Sequence, residues 1–459
     1  MPVSPARRAA FEILRRVEQE SAYSSALLAS FGDNLNPRDR ALTHELVLGI
    51  LRRRLWLDRT IEHFAGRSLA KLDLAVVLAL RIGLYQLRFL SRIPPSAAVN
   101  ESVNLVRLAK LKSAASFANG VLRQATREPA YNPAANVDDP IERLTIETSH
   151  PRWLIERWVN QFGFAEASAL AHANNSPAPV AFRFTAKANA QNHSEDLLSE
   201  LRSAGAEIEP SSIARNSWRL VRSKSNEDAA AATAPHGQTP ALLRKLSEDG
   251  LIYFQDEGSQ LVAQMVGAQT REQVLDVCAA PGSKSTLMAA EEPEATIFAG
   301  DLYEHRAGTV KQFASQQEAR NIRLVVYDAM QELPFANHSF DRVLVDAPCS
   351  GTGTLRHNPE IRWRLQASDI TELSAKQKRI LTNTAAMVRG HGVLIYSTCS
   401  LEIEENEAIV SDFFETHPDF AVFELNAPAN LQARNGSVRT WPHRDDTDGF
   451  FVTAFQRKN

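Results

Sequence analysis

The chain has 459 residues, of which 44% are hydrophobic and 23% charged, as in soluble globular proteins of roughly two to four domains. No apolar stretch reaches the roughly 18 residues that a membrane span needs, and charge interrupts the N-terminus, so we expect neither an anchor nor a signal peptide and a cytoplasmic location. Three cysteines without Cys-x-x-Cys spacing predict neither a disulfide framework nor a metal site.

The charge is unevenly distributed along the chain, although the net value is only −3. Residues 1–130 hold 20 Lys and Arg against 11 Asp and Glu, a net charge of +9, and the remainder holds 31 against 43. A basic N-terminal part is compatible both with an RNA-binding surface and with solvated helix faces that carry a charge bias.

The first part of the chain is predicted to be helical. Apolar residues recur at helical spacing in ARRAAFEILRRVEQE (6–20), and LDLAVVLALRIGLYQLRFL (72–90) predicts a more fully buried helix that ends before Ile93-Pro94-Pro95. We therefore predict an all-α domain over residues 1–135.

A small α+β domain with linker helices is predicted next, over residues 136–245. AFRFT (181–185) and SWRLV (217–221) alternate as strands, and between them a helix is predicted with Ser194 as its N-cap and Gly205 just past its end. The run SKSNEDAAAATAPHGQTP (223–240) has the composition of a loop.

Residues 246–459 predict a doubly wound parallel sheet, because apolar strands alternate with helices. The strands are QVLDV (273–277), TIFAGD (296–301), RLVVYD (323–328), RVLVD (342–346) and GVLIYS (392–397), with a last strand in DGFFVTAFQRK (448–458). Such sheets bind ligands outside the carboxyl ends of their strands.

Acidic residues end four of these strands: Asp276, Asp301, Asp328 and Asp346. Carboxylates crowded at one edge repel one another, so a cationic or hydroxyl-rich ligand is expected there. The loop DVCAAPGSKS (276–285) is neither Gly-x-Gly-x-x-Gly nor a P-loop, which favours a nucleoside cofactor that needs no phosphate site, such as S-adenosylmethionine.

Cys349 and Cys399 follow two of the predicted strands and so belong to the same edge. There a thiol can act as a nucleophile, although a small buried residue is the alternative for either cysteine alone. Cys278 lies in the cofactor loop, where a small side chain explains it sufficiently.

Three motifs then carry a resemblance. DVCAAPGSK, DAPCSGTGTLRHNPEIRW and YSTCSLEIEENE resemble those of the RNA cytosine-5 methyltransferases of the Nop/Sun type. The flanks PSAAVNESVNLVRLAK, ASFANGVLR, HPRWLIERWVNQFG, QDEGSQLVAQMV and DGFFVTAF are similar to those of members that act on small-subunit ribosomal RNA. The resemblance implies a multidomain chain with an all-α NusB-like N-terminal domain, a small α+β insert and a C-terminal α/β Rossmann-like class I methyltransferase domain.

The resemblance also implies roles for individual residues. Cys399 is the expected nucleophile toward carbon 6 of cytosine, Asp346 contacts the base edge and Cys349 takes part in product release. The residues expected to bind S-adenosylmethionine are Cys278, Ala279, Ala280, Pro281, Gly282, Ser283, Lys284, Asp301, Arg306, Asp328 and Asp346. Arg356, Arg362 and Trp363 combine charge and aromatic surface as single-stranded RNA binding favours, although Trp363 equally fits a core. Small-subunit ribosomal RNA is the expected partner, and a monomer without metal or membrane is expected.

Two departures from the family pattern stand out. Ser283 replaces a glycine of the usual Pro-Gly-Gly-Lys-Thr, which is tolerable where no positive φ is needed. Arg183-Phe184-Thr185 replaces Arg-x-Asn, which puts an RNA contact by Thr185 in doubt. LEIEENE (401–407) more readily starts a helix than binds metal. Two alternatives remain: a transfer RNA methyltransferase of the same chemistry, and a non-catalytic antitermination-type RNA-binding protein.

Overall fold

A computed structural model describes residues 3–32, 34–190, 193–221, 239–433 and 435–459. Contacts divide these residues into two compact units, one formed by the chain up to Pro177 with Leu355–Arg364, and one by the rest. This division has other bounds than the three predicted domains, so the bounds 1–135, 136–245 and 246–459 stay predictions. The predicted loop 223–240 lies outside the described residues apart from Thr239 and Pro240, which begin a helix. Within the described ranges, no helix is both long and apolar enough to cross a membrane.

The helices of both units are, in chain order, α1 Pro5–Gln19, α2 Ser24–Gly32, α3 Pro37–Arg52, α4 Arg54–Ala65, α5 Leu74–Phe89, α6 Pro95–Leu108, α7 Ala115–Arg127, α8 Pro140–Thr148, α9 Arg152–Phe162, α10 Phe164–Ala173, α11 Ala186–Ala190, α12 Ser194–Ser203, α13 Thr239–Glu248, α14 Glu257–Val266, α15 Ser283–Glu291, α16 Glu304–Gln316, α17 Ile361–Arg364, α18 Ala367–Ala385 and α19 Glu407–Thr416. The strands are β1 Val180–Phe184, β2 Ile208–Pro210, β3 Ser217–Leu220, β4 Ile252–Phe254, β5 Gln273–Asp276, β6 Thr296–Asp301, β7 Ile322–Val326, β8 Phe340–Asp346, β9 Val388–Thr398, β10 Phe420–Val422, β11 Val438–Arg439 and β12 Phe451–Arg457.

The first unit is all helical, as the N-terminal pattern predicts. Its central helix is α5, in which every residue from Val76 to Gln86 is buried. The side chain of Asp73 caps α5 by accepting a hydrogen bond from the main-chain N–H of Ala75. Apolar residues of α1, α3, α4, α6 and α7 pack around it in one core.

The second unit contains a small antiparallel sheet in the order β2-β3-β1-β4. Phe182 of β1 pairs with Trp218 and Phe254, and α12 and α13 contribute leucines to the core on this sheet. The prediction of Ser194 as N-cap is wrong: Ser194 is the first helical residue, and His193 takes the cap position without a side-chain hydrogen bond. Gly205, with φ 89°, lies just past the end of α12, as predicted.

The larger sheet of the second unit has the order β10-β12-β9-β8-β5-β6-β7, with β11 paired to β12. The strands from β5 to β9 are parallel, and β12 is antiparallel to β9. Strand β5 pairs with β6 on one side and with β8 on the other, so the chain reverses its direction of winding there. This reversal is the point at which open α/β sheets bind ligands.

Candidate active site

Carboxylates lie at the carboxyl edge of the larger sheet, where the strand pattern predicts them. Asp276, Asp301 and Asp346 are the last residues of β5, β6 and β8, and Asp328 lies two residues beyond β7. Burial raises the pKa of Asp276 to about 7, and the neighbouring Asp346 adds to the increase despite a hydrogen bond from Ser285. The carboxyl group of Asp276 therefore carries less than a full negative charge at pH 7.

The loop between β5 and α15 approaches its neighbours closely. Gly282 has φ 106°, and a Cβ there would lie 3.1 Å from Val310 Cγ1 and 3.2 Å from Val310 Cα, so a larger residue would be strained and tightly packed. The positive φ is confined to Gly282, and Ser283 is already the first residue of α15. Serine therefore fits at this departure from the family pattern.

Asp301 connects this loop to the start of α16. Its Oδ2 accepts a hydrogen bond from the main-chain N–H of Ala280 at 3.3 Å, and its Oδ1 accepts one from that of Tyr303 at 3.2 Å. Arg306 lies 3.5 Å from Asp301 Oδ2 and donates to the carbonyl of Ala280 at 3.2 Å. The Arg306 side chain is half exposed, so this ion pair orients the loop more than it stabilises the protein.

The residues at this edge fit S-adenosylmethionine. Asp276 Oδ1 is buried and has no hydrogen-bond partner among the described residues, whereas Oδ2 accepts from Ser285 Oγ at 2.6 Å. A buried oxygen of this kind can accept a hydrogen bond from a ligand. The small residues of the loop leave the main chain accessible, and a cation with hydroxyl groups suits the surrounding acids.

The two sequence-predicted thiols meet beside these carboxylates. Cys349 Sγ and Cys399 Sγ lie 3.3 Å apart, and both are free cysteines. Their proximity follows from the parallel register of β8 and β9, which pairs Asp346 with Ser397. The hydrogen bond with Cys399, and then burial, raise the pKa of Cys349 well above its usual value. Cys349 therefore keeps its proton near neutral pH.

Lys284 brings a buried positive charge to the same place. Its Nζ lies 2.6 Å from Asp346 Oδ2 and 5.2 Å from the centre of the Phe450 ring. Burial by itself lowers the pKa of Lys284, but the neighbouring Asp346 and Cys399 more than offset this. The pKa is therefore raised above its usual value, and the ammonium group stays charged. The positive charge of Lys284 is thus held at the same edge of the sheet as Asp346 and Cys399.

Cys278 differs from the other two thiols. Burial, followed by the charges of Asp276 and Asp346, raises the pKa of Cys278, so it stays a thiol. This surrounding agrees with its interpretation as a small residue of the loop.

The three residues predicted to contact RNA, Arg356, Arg362 and Trp363, lie in the first unit. The burial and the partners of the two arginines favour structural roles. Arg362 is fully buried and donates to Asn175 Oδ1 at 3.0 Å and to the carbonyl of Thr148 at 3.3 Å. Burial, and then Arg52, lower its pKa to about 9. Arg356 is buried too and donates to a main-chain carbonyl, that of Pro177, at 2.9 Å.

Trp363 is half-buried beneath a cation, since the guanidinium of Arg54 lies 5.3 Å from the centre of its ring. RNA contact by this tryptophan and by Arg356 and Arg362 stays a prediction. Thr185 is buried in the second unit, and its hydroxyl donates to the carbonyl of Gly250 at 2.6 Å, which accounts for that side chain without RNA.

The sequence did not reveal the buried polar groups that hold the two cysteine loops, which follow β8 and β9 and carry Cys349 and Cys399. LEIEENE forms a helical turn, Ile403–Glu405, before α19, and both Glu405 and Asn406 are fully buried. Glu405 accepts hydrogen bonds from Ser350 and Ser400, whereas Asn406 donates to the carbonyl of Ser400. The available signal was the serine that follows each cysteine, Ser350 and Ser400, because two small donors at matching positions can share one acceptor.

Comparison with known proteins agrees with this architecture. Residues 263–456 match the family described as 16S rRNA methyltransferase RsmB/F, residues 4–127 match the NusB family, and residues 150–225 match a ferredoxin-like domain of RsmF/B-like methyltransferases. The chain is similar to the probable ribosomal RNA small subunit methyltransferase B of Bacillus subtilis (strain 168), at 32% identity over the whole of both chains. It is 31% identical to ribosomal RNA small subunit methyltransferase B of Yersinia pestis bv. Antiqua (strain Angola), over 98% of each chain.

Solved structures show the same fold. The crystal structure of PH0851 has a TM-score of 0.81 at 25% identity and covers 100% of each chain. The crystal structure of NSun6 from Pyrococcus horikoshii with SFG has a TM-score of 0.58 at 21% identity, covering 67% of this chain and 98% of that one, a likeness that concerns the fold alone.

Proposed function

This chain belongs to the 16S rRNA methyltransferase RsmB/F family, and on that basis we propose that it methylates carbon 5 of a cytosine in 16S rRNA through a covalent bond to Cys399. Its cofactor is S-adenosylmethionine. The observation that carries the proposal is the contact of Cys399 with Cys349, at 3.3 Å, beside the Lys284–Asp346 ion pair at the ligand-binding edge of the sheet.

The loop Cys278–Lys284 with Asp301, Arg306, Asp328 and Asp346 would hold the cofactor, which supplies an electrophilic methyl group on a sulfonium. Asp276 Oδ1 and Asp301 offer acceptors for its cationic and hydroxyl groups. Gly282 lies close to Val310 of α16, so the loop packs against that helix.

Carbon 5 of cytosine is too weak a nucleophile to take a methyl group unaided. The thiolate of Cys399 adds to carbon 6, and the electrons of the 5,6 double bond become available at carbon 5. Carbon 5 would then form the bond to the methyl group, while the bond from that methyl group to the sulfonium sulfur would break with its electrons staying on the sulfur. The charged ammonium group of Lys284 interacts electrostatically with Cys399. Asp346, fixed by Lys284 and by a hydrogen bond from Ser397 Oγ at 3.1 Å, receives the pyrimidine edge.

Release of the product needs two bonds to break. A base takes the proton from carbon 5, that C–H electron pair restores the 5,6 double bond, and the bond from carbon 6 to sulfur breaks with its electrons returning to Cys399. Cys349 keeps its proton, because the contact with Cys399 and burial raise its pKa, and it can donate a hydrogen bond to the departing sulfur. One cysteine attacks and the other assists departure.

The RNA itself is proposed to be held in part by the basic N-terminal helices through its phosphates, with the target base extruded into the site. The test uses the full-length protein with labelled S-adenosylmethionine and either unmodified 16S rRNA or transfer RNA, followed by digestion and identification of the labelled nucleoside. We expect 5-methylcytosine in 16S rRNA. Label in transfer RNA alone would favour the first alternative, a different nucleoside would contradict the chemistry, and a silent wild type would favour the RNA-binding protein.

A further inference from the structure

Glu405 is a fully buried carboxylate that four hydrogen-bond donors surround. Its Oε1 accepts from the main-chain N–H of Ser350 and from Gln377 Nε2, both at 2.9 Å. Its Oε2 accepts from Ser350 Oγ and from Ser400 Oγ, the latter at 2.5 Å. All four donors are uncharged, and together they satisfy both oxygens of the carboxyl group.

The donors belong to the two loops that carry the thiols. Ser350 directly follows Cys349 and Ser400 directly follows Cys399, and the two serine hydroxyls lie 3.0 Å apart. One carboxylate therefore binds both loops at the residue next to each sulfur. Burying a carboxylate among neutral groups is costly unless its acceptors are satisfied, so this arrangement is more demanding than packing alone requires.

Glu405 is itself held in place. Its carbonyl accepts a hydrogen bond from Tyr396 Oη of β9 at 2.7 Å. The next residue, Asn406, accepts from Thr398 Oγ1 at 2.6 Å and donates to the carbonyl of Ser400 at 2.9 Å, on either side of Cys399. The carboxylate is thus fixed relative to the strand that delivers the nucleophile.

We propose that Glu405 is a positioning residue that sets the distance between the thiols of Cys349 and Cys399. It does not touch the reacting atoms. Its consequence for catalysis rests on the proposed function, because attack and release by neighbouring sulfurs require that the sulfurs meet, whereas its effect on thiol spacing does not depend on that chemistry.

Thiol proximity can be measured without RNA. Diamide, an azo oxidant, removes two electrons and two protons from a thiol pair to form a disulfide and is itself reduced to the hydrazine, and peptide mass analysis identifies the pair. We would compare wild type with Glu405→Ala and Glu405→Gln. The matched control is Glu407→Gln, because Glu407 is partly exposed and its ion pair is with Arg439, at 3.0 Å.

In Glu405→Ala, both the rate of Cys349–Cys399 disulfide formation and kcat should fall roughly 100-fold, as expected for a displacement of about 1 Å, while the affinity for S-adenosylmethionine is unchanged. Glu405→Gln should recover both rates to within about 10-fold of wild type, since its amide keeps one acceptor and can donate to the serine hydroxyls. Glu407→Gln should behave as wild type.

A Glu405→Ala protein that binds the cofactor normally, oxidises at the wild-type rate and methylates normally would overturn the proposal. Equal losses of cofactor affinity and kcat, with thiol oxidation unchanged, would also overturn it. If Glu405→Ala does not bind the cofactor, the double variant Ser350→Ala with Ser400→Ala replaces it, and unchanged rates there refute the positioning role. If Cys399→Ala still methylates while Glu405→Ala slows oxidation, the covalent mechanism fails and the positioning role stands.

Discussion

Gly353 lies between two main-chain segments, one at Cys399 and one at Gly449, and is hydrogen-bonded to both. Its N–H donates to the carbonyl of Cys399 at 2.9 Å, and its carbonyl accepts from the N–H of Gly449 at 2.8 Å. A Cβ at this position would lie 2.0 Å from the carbonyl oxygen of Gly449 and 2.9 Å from that of Cys399. Both obstacles are backbone atoms, so Gly353→Ala cannot be accommodated by rotating a side chain.

The magnitude follows from two costs. Overpacking costs about 1–3 kcal/mol, and weakening the two hydrogen bonds costs about 0.5–1.5 kcal/mol each, for roughly 2–6 kcal/mol in total. At about 2–4 °C per kcal/mol for a domain of 150–250 residues, the thermal midpoint of Gly353→Ala should fall by roughly 4–24 °C. Displacement of Cys399 should lower methyl transfer about 100-fold in the protein that stays folded.

The matched control is Gly308→Ala in α16, where a Cβ meets nothing within 4 Å. Alanine suits a helix interior better than glycine by about 0.5–1 kcal/mol, so this variant should be slightly more stable and fully active. Differential scanning calorimetry and a methyl-transfer assay measure both variants. A Gly353→Ala protein with the midpoint and the activity of wild type would refute the close approach on which the reasoning rests.

Three further variants test other parts of the account. Burial raises the pKa of Asp276 to about 7, so its contribution to the stability of the cofactor-free wild type should fall as the pH rises from about 4 through 7. The thermal midpoint of Asp276→Asn should therefore exceed that of wild type by more at pH 8 than at pH 5. Equal differences at the two pH values would contradict this. Arg183→Met removes a buried guanidinium group that links β1 to the first turn of α15, so its thermal midpoint should fall by several degrees. The control Arg202→Met, on the exposed face of α12, should have the midpoint of wild type. Equal midpoints for the two variants would contradict the link. Arg362→Met should have a lower thermal midpoint but bind RNA with the same salt dependence as wild type. If the slope of the logarithm of the binding constant against the logarithm of the salt concentration is smaller in magnitude by about 0.7–0.9, Arg362 contacts the RNA as the sequence predicts.

The site could be predicted where it depends on strand ends. Apolar runs locate the parallel strands, and the residue after each run lies at the ligand-binding edge, which places Asp276, Asp301 and Asp346 correctly. The same pattern brings Cys349 and Cys399 to one edge. Their contact at 3.3 Å could not be predicted, because it depends on the register of β8 against β9, and no local pattern specifies that register.

Buried polar residues escaped prediction for a related reason. The mixture of charge and aromatic surface around Arg362 looks like an RNA-binding segment, yet its partners are Asn175 and the carbonyl of Thr148, far away in the sequence. Glu405 was interpreted as part of a helix start, although its partners in Ser350 and Gln377 bury it. Ionisable residues are usually exposed, so composition alone favours the surface until the fold supplies distant partners.

The central claim is that Cys399 attacks the base and Cys349 assists its release. The most direct measurement incubates wild type, Cys399→Ala and Cys349→Ala with unmodified 16S rRNA and labelled S-adenosylmethionine, and scores methyl transfer together with denaturant-resistant protein–RNA adduct. We predict neither product nor adduct for Cys399→Ala, and accumulated adduct for Cys349→Ala. Methyl transfer by Cys399→Ala, or loss of both signals in a folded Cys349→Ala protein, would contradict the assignment.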